Sequence, residues 1–297
     1  MLKDMQRRRV LSKIKNCNKT VSRLDIPMKR NKKWEHYVLL SADHHWDARE
    51  CDRALMKKHF EEAKEKDADI LIFGDFFDVM GGKYDPRRRK GDIRPELNVD
   101  NYMDALTDQA SDWLLPYAKN IKFISRGNHE VAVLKNQEID LTDRLVTMLN
   151  YKGKANVITG TYRGYVLFKF QASKDSGRAK VTLGYTHGYG GGGPVTKGTI
   201  QASRKQIYMA DADIIVQGHI HEAWTMEIVR ERIGPAPCHT PRLEVCTHIQ
   251  LPTYKEDYGD GDNWHTHTGK PPKSLGAYWL RFYWEEDRIK YQVIRAN

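Results

Sequence analysis

The sequence predicts an α/β protein with a mainly parallel sheet, because short buried strands alternate with amphipathic helices along the first half of the chain. Strands are predicted at Tyr37–Leu40, Ile70–Phe73 and Ile121–Ile124, which are largely apolar runs. Helical periodicity separates them over residues 51–66 and 100–119. This β-α-β-α-β order favours strands that run in the same direction, so that their carboxyl ends present side chains at one edge.

The second half of the chain is richer in predicted strands. A third helix is predicted for residues 138–150, and strand-like segments then follow one another. These segments are 165–170, 179–185, 213–217, 222–230, 242–249, 276–284 and 288–295. Two stretches rich in Gly, Pro and charged residues, 80–99 and 251–275, are predicted insertions. The second is expected to be either a lid over the site or a disordered connection.

Composition places the chain among ordinary globular proteins. Its 297 residues are 40% hydrophobic and 10% aromatic, which is enough to form a sizeable core. The sequence has no apolar run of the roughly 18 residues that a membrane-spanning helix needs. The four cysteines are scattered without a CxxC pair, which is typical of a reducing compartment. We therefore expect a cytoplasmic protein with no membrane partner.

The basic character of the chain is concentrated at its N-terminus. Residues 1–33 contain twelve Lys or Arg against Asp4 and Asp25, a surplus equal to the net charge of +10 of the whole chain. The apolar residues spaced for one side of a helix are Leu11, Ile14, Val21 and Leu24. A basic helical arm is therefore predicted, followed by a domain over residues 34–297. Such an arm either docks on an acidic partner, nucleic acid first, or is a solvated extension.

Five short motifs made of metal-ligand residue types follow the predicted strands. They are Asp43-His44-His45, Gly74-Asp75-Phe76-Phe77-Asp78, Gly127-Asn128-His129-Glu130, Thr186-His187-Gly188 and Gly218-His219-Ile220-His221. In the first and last motifs the ligand types recur at i and i+2, which puts both side chains on the same side of an extended chain. Each motif is weak alone, but the ordered set is hard to explain without a metal site.

In this order the motifs resemble those of the calcineurin-like metallophosphoesterase family, and in particular its phosphodiesterase and repair-nuclease branch. The resemblance implies two mixed β-sheets packed as a sandwich with flanking helices. It also implies a hydrolase that uses two divalent metal ions, manganese first, with iron or zinc as alternatives. A hydroxide that bridges the two ions would attack phosphorus in line.

The resemblance also assigns roles to single residues. One metal ion would be held by Asp43, His45 and His221. The other would be held by Asn128, His187 and His219, with Asp75 bridging both ions. His129 would protonate the leaving oxygen, and Asp78 would orient His129 through a hydrogen bond. His44 is expected to pack beside the site.

The substrate is predicted from weaker signals. Val79 stands where the serine/threonine protein phosphatases of the family carry Arg, although Arg126–Glu130 matches their RGNHE. The GHIH motif resembles that of the phosphodiesterases. Together with the basic arm and the Arg87–Lys90 cluster, it predicts nucleic acid as the partner and a DNA or RNA nuclease as the function. The alternatives are a phosphoesterase for small phosphomonoesters or cyclic nucleotides, and a non-catalytic metal-binding scaffold.

Overall fold

A computed structural model describes the chain over residues 12–79, 93–172, 179–191, 193, 195–234, 240–259, 264–267, 269 and 271–296. Residues 1–11 of the predicted arm lie outside the described residues. So do residues 80–92, which include the Arg87–Lys90 cluster that the sequence predicts to contact nucleic acid.

Two β-sheets form the centre of the molecule. Their strands are β1 (Lys13–Asn16), β2 (Val21–Pro27), β3 (Glu35–Ser41), β4 (Asp69–Phe73), β5 (Ile121–Ser125), β6 (Ile158–Gly160), β7 (Arg163–Gln171), β8 (Ala179–Thr186), β9 (Ile214–Gln217), β10 (Trp224–Ile233), β11 (Pro241–Gln250), β12 (Tyr278–Glu285) and β13 (Arg288–Arg295). Sheet A has the order β1-β2-β7-β8-β9-β11-β10, and sheet B has the order β13-β12-β3-β4-β5-β6. Both sheets mix parallel and antiparallel pairs, which confirms the predicted fold class.

Helices connect and flank the sheets. They are α1 (Arg53–Glu65), α2 (Tyr102–Leu114), α3 (Asn128–Gln137), α4 (Leu141–Gly153), α5 (Thr199–Tyr208) and α6 (Trp264–His267). α1 begins where the Asp52 side chain accepts a hydrogen bond from the Leu55 N–H, and α4 begins at Asp140 in the same way. Among the described residues, no helix is long and apolar enough to cross a membrane.

The hydrophobic core has two layers. Between the sheets, the ring centroid of Tyr185 in sheet A lies 5.5 Å from that of Phe73 and 5.1 Å from that of Phe123, both in sheet B. On the other face of sheet B, residues of α1, α2 and α4, such as Phe60 and Leu145, are buried in one cluster with Ile72. Sheet B is therefore buried on both faces, which is why its parallel strands read as apolar runs.

The prediction of a helix in the basic segment is wrong. Residues 13–27 form the antiparallel hairpin β1–β2, and β2 pairs in parallel with β7. Within β2 every second residue is buried, including Leu24 and Ile26, which is the two-residue period of a strand. Asn18 closes the turn, because its side chain accepts hydrogen bonds from the N–H groups of Thr20 and Val21. Residues 13–27 of the basic segment therefore belong to sheet A.

Replacing Leu24 with alanine tests whether this hairpin supports the fold. Leu24 is fully buried between the sheets, so Leu24→Ala should lower the free energy of unfolding by about 3 kcal/mol. Lys19→Ala, in the exposed turn of the same hairpin, is the control and should leave stability unchanged. Urea denaturation measures both. Equal stability of the two variants would mean that the hairpin contributes nothing to the core.

Candidate metal centre

The five motifs lie at the carboxyl ends of strands that meet at one edge of the sandwich. In sheet B, the neighbouring parallel strands β3, β4 and β5 lead into the motifs that begin at Asp43, Gly74 and Gly127. In sheet A, the parallel strands β8 and β9 lead into His187 and Gly218. The two sets are joined directly, because both oxygens of Asp43 accept a hydrogen bond from the His219 N–H, at 3.0 and 2.9 Å.

The motifs are held close together by their backbones. Asp43, His45 and Asp75 all have positive φ, a conformation that costs energy outside glycine and that clusters at functional sites. Gly127 allows the closest approach, since a Cβ atom there would lie 2.0 Å from Asp75 Oδ1. Gly218 does the same for Asp43, with a Cβ 2.5 Å from its Oδ2. A side chain at either glycine would push a candidate ligand out of place.

The first cluster of ligand atoms comes from Asp43, His45 and His221. His45 Nε2 lies 3.2 Å from His221 Nε2, and His221 Nε2 lies 3.6 Å from Asp43 Oδ1. Asp43 and His45 are almost completely buried. Two imidazole nitrogens and a carboxylate oxygen therefore face one another from opposite sheets.

The second cluster comes from Asp75, His187 and His219. His187 Nε2 lies 3.0 Å from Asp75 Oδ2, and Asn128 Oδ1 lies 3.0 Å from His187 Nε2 and 2.7 Å from His219 Nδ1. The two clusters are adjacent, because His187 Nε2 is only 3.8 Å from Asp43 Oδ1. The structure thus brings together all seven residues that the sequence predicts as metal ligands.

The imidazole orientations suit metal binding. His187 Nδ1 donates a hydrogen bond to the Phe73 carbonyl oxygen at 3.0 Å, which leaves Nε2 facing the second cluster. His45 Nδ1 lies 2.8 Å from Asp78 Oδ1, so its Nε2 faces the first cluster. Metal-binding histidines in proteins are oriented by such contacts on the other ring nitrogen. The mixed nitrogen and oxygen donors fit a transition-metal ion such as manganese, iron or zinc.

Electrostatics also favour cations at this edge. Burial opposes the charging of His187, but the carboxylates of Asp75 and Asp43 outweigh it and raise the pKa of His187 to about 10. Although burial alone would raise it, the pKa of Asp75 is held well below its usual value by His187 and His129. The site therefore contains ionised carboxylates in a buried setting, where a cation is strongly attracted.

His129 and Asp78 lie beside the clusters, but their contact differs in detail from the expected one. His129 Nδ1 lies 2.5 Å from the main-chain carbonyl oxygen of Asp78 and 3.9 Å from its carboxylate Oδ1. The carboxylate is closest to His45 instead, at 2.8 Å. His129 is thus oriented by the Asp78 backbone, and the Asp78 side chain orients a candidate metal ligand.

Glu130 ties two of the motifs together, a role that sequence reasoning missed. Its fully buried carboxylate accepts hydrogen bonds from the N–H groups of Asp75 (3.1 Å), Phe77 (2.9 Å) and Gly127 (2.8 Å). Burial, followed by the charge of Asp75, raises the pKa of Glu130 to about 7. The Glu of GNHE therefore fixes the backbone of the GDxxD motif.

Removal of Glu130 should be costly for stability. Glu130→Ala leaves three buried N–H groups without an acceptor, so the free energy of unfolding should fall by about 3 kcal/mol. Lys135→Ala, at an exposed position of the same helix, is the matched control. Guanidinium denaturation at neutral pH measures the difference, and a Glu130→Ala protein as stable as the control would contradict this role.

Residues 253–255, which follow β11, stabilise the backbone of the first motif through hydrogen bonds, and no sequence motif indicated this role. Thr253 Oγ1 and the Tyr254 N–H donate to the Asp43 carbonyl oxygen at 2.7 and 3.0 Å. The Tyr254 ring stacks on His44, with centroids 4.9 Å apart, and burial lowers the pKa of His44 to about 3. His44 is therefore a neutral packing residue, as predicted. Lys255 from the same segment donates a hydrogen bond to Asp78 Oδ1 at 3.2 Å.

A buried carboxylate that the sequence did not single out holds the end of the second motif. Asp47 accepts hydrogen bonds from the N–H groups of Asp78 (2.6 Å) and Val79 (2.9 Å), and from the Tyr102 hydroxyl (2.6 Å). It lies two residues after His45, so it links the first motif to the second.

The sequence matches one known protein family. The model of the calcineurin-like phosphoesterase family matches residues 36–223, more than half of the chain and all five motifs. The chain belongs to the calcineurin-like phosphoesterase family. Membership in this family supports a phosphoester hydrolase that binds divalent metal, and the clusters described above supply suitable ligands.

Solved structures similar to this family member come from several organisms. Vacuolar Protein Sorting 29 from Cryptosporidium parvum is 14% identical with a TM-score of 0.33, and the match covers 89% of this chain and 98% of that one. GAP50 of Plasmodium is 11% identical with a TM-score of 0.42, covering 88% and 84%. A predicted phosphoesterase from Streptococcus pneumoniae is 10% identical with a TM-score of 0.32, covering 88% and 90%. No curated protein sequence matches the chain.

Proposed function

We propose that this protein is a two-metal phosphodiesterase and, more specifically, that it is a nuclease. The observation that carries the proposal is the pair of adjacent ligand clusters with His129 at their edge. Two divalent ions bound there would supply a nucleophile at neutral pH and neutralise charge on the phosphate. The residues that would hold one ion are Asp43, His45 and His221. Those for the other are Asn128, His187 and His219, with Asp75 between them.

His129 is proposed to protonate the leaving oxygen. Its Nε2 lies 3.7 Å from Asp75 Oδ2, at the border of the clusters, and its side chain is 14% exposed. Since a carbonyl oxygen only accepts, the Asp78 carbonyl fixes a proton on His129 Nδ1, and Nε2 is the nitrogen that would face the substrate. In the acid form the ring also carries a proton on Nε2, and it is this Nε2 proton that would pass to the leaving oxygen as the phosphoester bond breaks, leaving a neutral imidazole with its proton on Nδ1.

Exposed lysines of the hairpin support a nucleic-acid substrate. Lys15 and the turn residue Lys19 are exposed, and this turn lies where β7 begins. Because β7 and β8 are antiparallel, that end of β7 is the end of β8 that leads into His187. Lys32 and Lys33 are also exposed but follow the opposite end of β2. Cations at the site edge attract a phosphate backbone without reading its sequence.

A substrate panel tests the reaction. The purified protein with Mn²⁺ is offered single- and double-stranded DNA, RNA, an aryl phosphodiester and an aryl phosphomonoester. We expect cleavage of nucleic acid and of the diester. Cleavage of the monoester alone would assign the protein to small phosphomonoesters. No turnover of any substrate with both ions bound would favour a metal-binding scaffold.

The salt dependence of DNA binding tests the lysines. The double variant Lys15→Ala/Lys19→Ala should reduce the slope of log K against log salt by about 2, because each lost phosphate contact removes about one released counterion. Lys32→Ala/Lys33→Ala is the matched control and should keep the wild-type slope. If both double variants bind duplex DNA with the wild-type slope, the hairpin turn does not contact the substrate.

A further inference from the structure

The Lys255 ammonium lies between carboxylates next to the proposed metal centre. Its Nζ is 3.2 Å from Asp78 Oδ1 and 3.7 Å from Asp257 Oδ1, and its side chain is only 16% exposed. Burial lowers the pKa of Lys255, but the charges of Asp78, Asp257 and Glu50 outweigh it and hold that pKa above its ordinary value. Lys255 is therefore a fixed cation in an acidic pocket.

This pocket adjoins a third cluster of ligand-type atoms. His45, Asp78 and His129 each offer one atom to this group, and these atoms lie within 4.8 Å of one another, as they do in the other two clusters. Asp78 Oδ1 lies 2.8 Å from His45 Nδ1 and 3.9 Å from His129 Nδ1. Because a neutral imidazole has only one lone pair, a divalent ion bound there through His45 Nδ1 would force the proton onto Nε2, the nitrogen that faces the first cluster. It would also draw His129 away from the substrate.

The backbone holds Lys255 in this place. The Lys255 N–H donates to Thr253 Oγ1 at 2.9 Å, and Thr253 in turn donates to the Asp43 carbonyl oxygen. Lys255 also forms an isolated β-bridge with Cys51, and the next residue, Glu256, donates its N–H to the Glu50 carbonyl oxygen at 2.9 Å. The ammonium is thus positioned by the same segment that supports the first motif.

We infer that Lys255 is a positioning residue whose ammonium holds the Asp78 carboxylate of the third cluster and so excludes a divalent ion from it. A single positive charge beside Asp78 keeps His45 Nε2 facing the first cluster and His129 Nδ1 on the Asp78 carbonyl oxygen. Without the ammonium, the carboxylate of Asp78 would face His45 and His129, a mixed donor set that suits a transition-metal ion. The inference rests on the proposed metal-dependent function.

Metal counting on three full-length variants tests the inference. Lys255→Gln removes the charge, Lys255→Arg keeps it, and Lys152→Gln is the matched control. Lys152 contacts two exposed carboxylates of α2, those of Asp108 at 2.7 Å and Asp112 at 2.8 Å, so its loss uncovers acidic groups outside the five motifs. Each protein is dialysed against excess Mn²⁺, the bound ions are counted, and their positions are located by anomalous X-ray scattering.

We expect a third ion beside Asp78 in Lys255→Gln and in neither of the other variants. Excess Mn²⁺ should then inhibit diester hydrolysis by Lys255→Gln by at least about tenfold, and lowering the metal concentration should relieve that inhibition. A lysine that merely stabilised the fold would lower stability when replaced, without adding an ion or producing this reversible inhibition.

Two results would overturn the inference. One is a Lys255→Gln protein with the same two ions and the same metal dependence as the wild type. The other needs no variant: a Mn²⁺ ion beside Asp78 in the wild-type protein, where Lys255 should exclude it. If instead the wild type binds no ion at the first two clusters, the proposed metal-dependent function fails, which is a distinct outcome.

Discussion

His129→Ala is expected to lose diester hydrolysis while keeping both metal ions. His129 is not among the seven predicted ligands, and its Nε2 lies 3.7 Å from Asp75 Oδ2 at the border of the two clusters. Loss of a positioned general acid typically slows a reaction by about 100- to 10,000-fold. We expect a fall of this size in kcat with an aryl diester of poor leaving group, and a smaller fall when the leaving group needs no proton.

The control for His129 is a histidine at the other end of the sheet. His36 Nε2 lies 2.8 Å from Asp69 Oδ2, near the start of β3, whereas Asp43 follows the end of that strand. His36→Asn should therefore keep the wild-type kcat. An unchanged rate for His129→Ala, with both ions present, would refute its role as the acid. A loss of metal from His129→Ala would instead make it a ligand.

Asp75→Asn is expected to abolish metal binding at the second cluster and to weaken it at the first. Asp75 Oδ2 lies 3.0 Å from His187 Nε2, and Asp75 Oδ1 accepts a hydrogen bond from the His129 N–H at 3.0 Å. Asparagine keeps an acceptor for that N–H but removes the charge, so the backbone should stay in place. We expect Mn²⁺ affinity, measured by isothermal titration calorimetry, to fall by more than the 10- to 100-fold typical of residues that only support a ligand.

Asp69→Asn provides the matched control on the same strand. Asp69 is buried at the start of β4, where its carboxylate pairs with His36, while Asp75 follows the end of β4. This variant removes a buried carboxylate without touching the motifs, so it should bind two ions with wild-type affinity. If Asp75→Asn binds Mn²⁺ as tightly as Asp69→Asn does, Asp75 is not a bridging ligand.

Much of the candidate site could be predicted from the sequence because its signals are local. An apolar run such as Ile70–Phe73 predicts a buried parallel strand, and the motif directly after it must lie at the carboxyl end. The ligand residues therefore share one edge whatever the details of the loops. The roles assigned to them come from the family resemblance and stay predictions.

The parts that sequence reasoning missed depend on contacts between distant segments. Lys255 meets Asp78, and Thr253 meets Asp43, across most of the chain, and no local pattern encodes such pairs. The helix predicted in the basic segment was wrong for another reason. Spacings of three residues, such as Leu11 to Ile14 and Val21 to Leu24, suit a helix, but Leu24 and Ile26 alternate as in a strand and pairing with β7 decides the outcome.

The most direct test of the central claim is anomalous X-ray scattering from crystals of the wild-type protein grown with Mn²⁺. The two-metal account predicts two peaks about 3.5–4 Å apart. One should lie among Asp43, His45 and His221, and the other among Asp75, His187 and His219. A single peak, or a peak among His45, Asp78 and His129 in place of the first cluster, would contradict it.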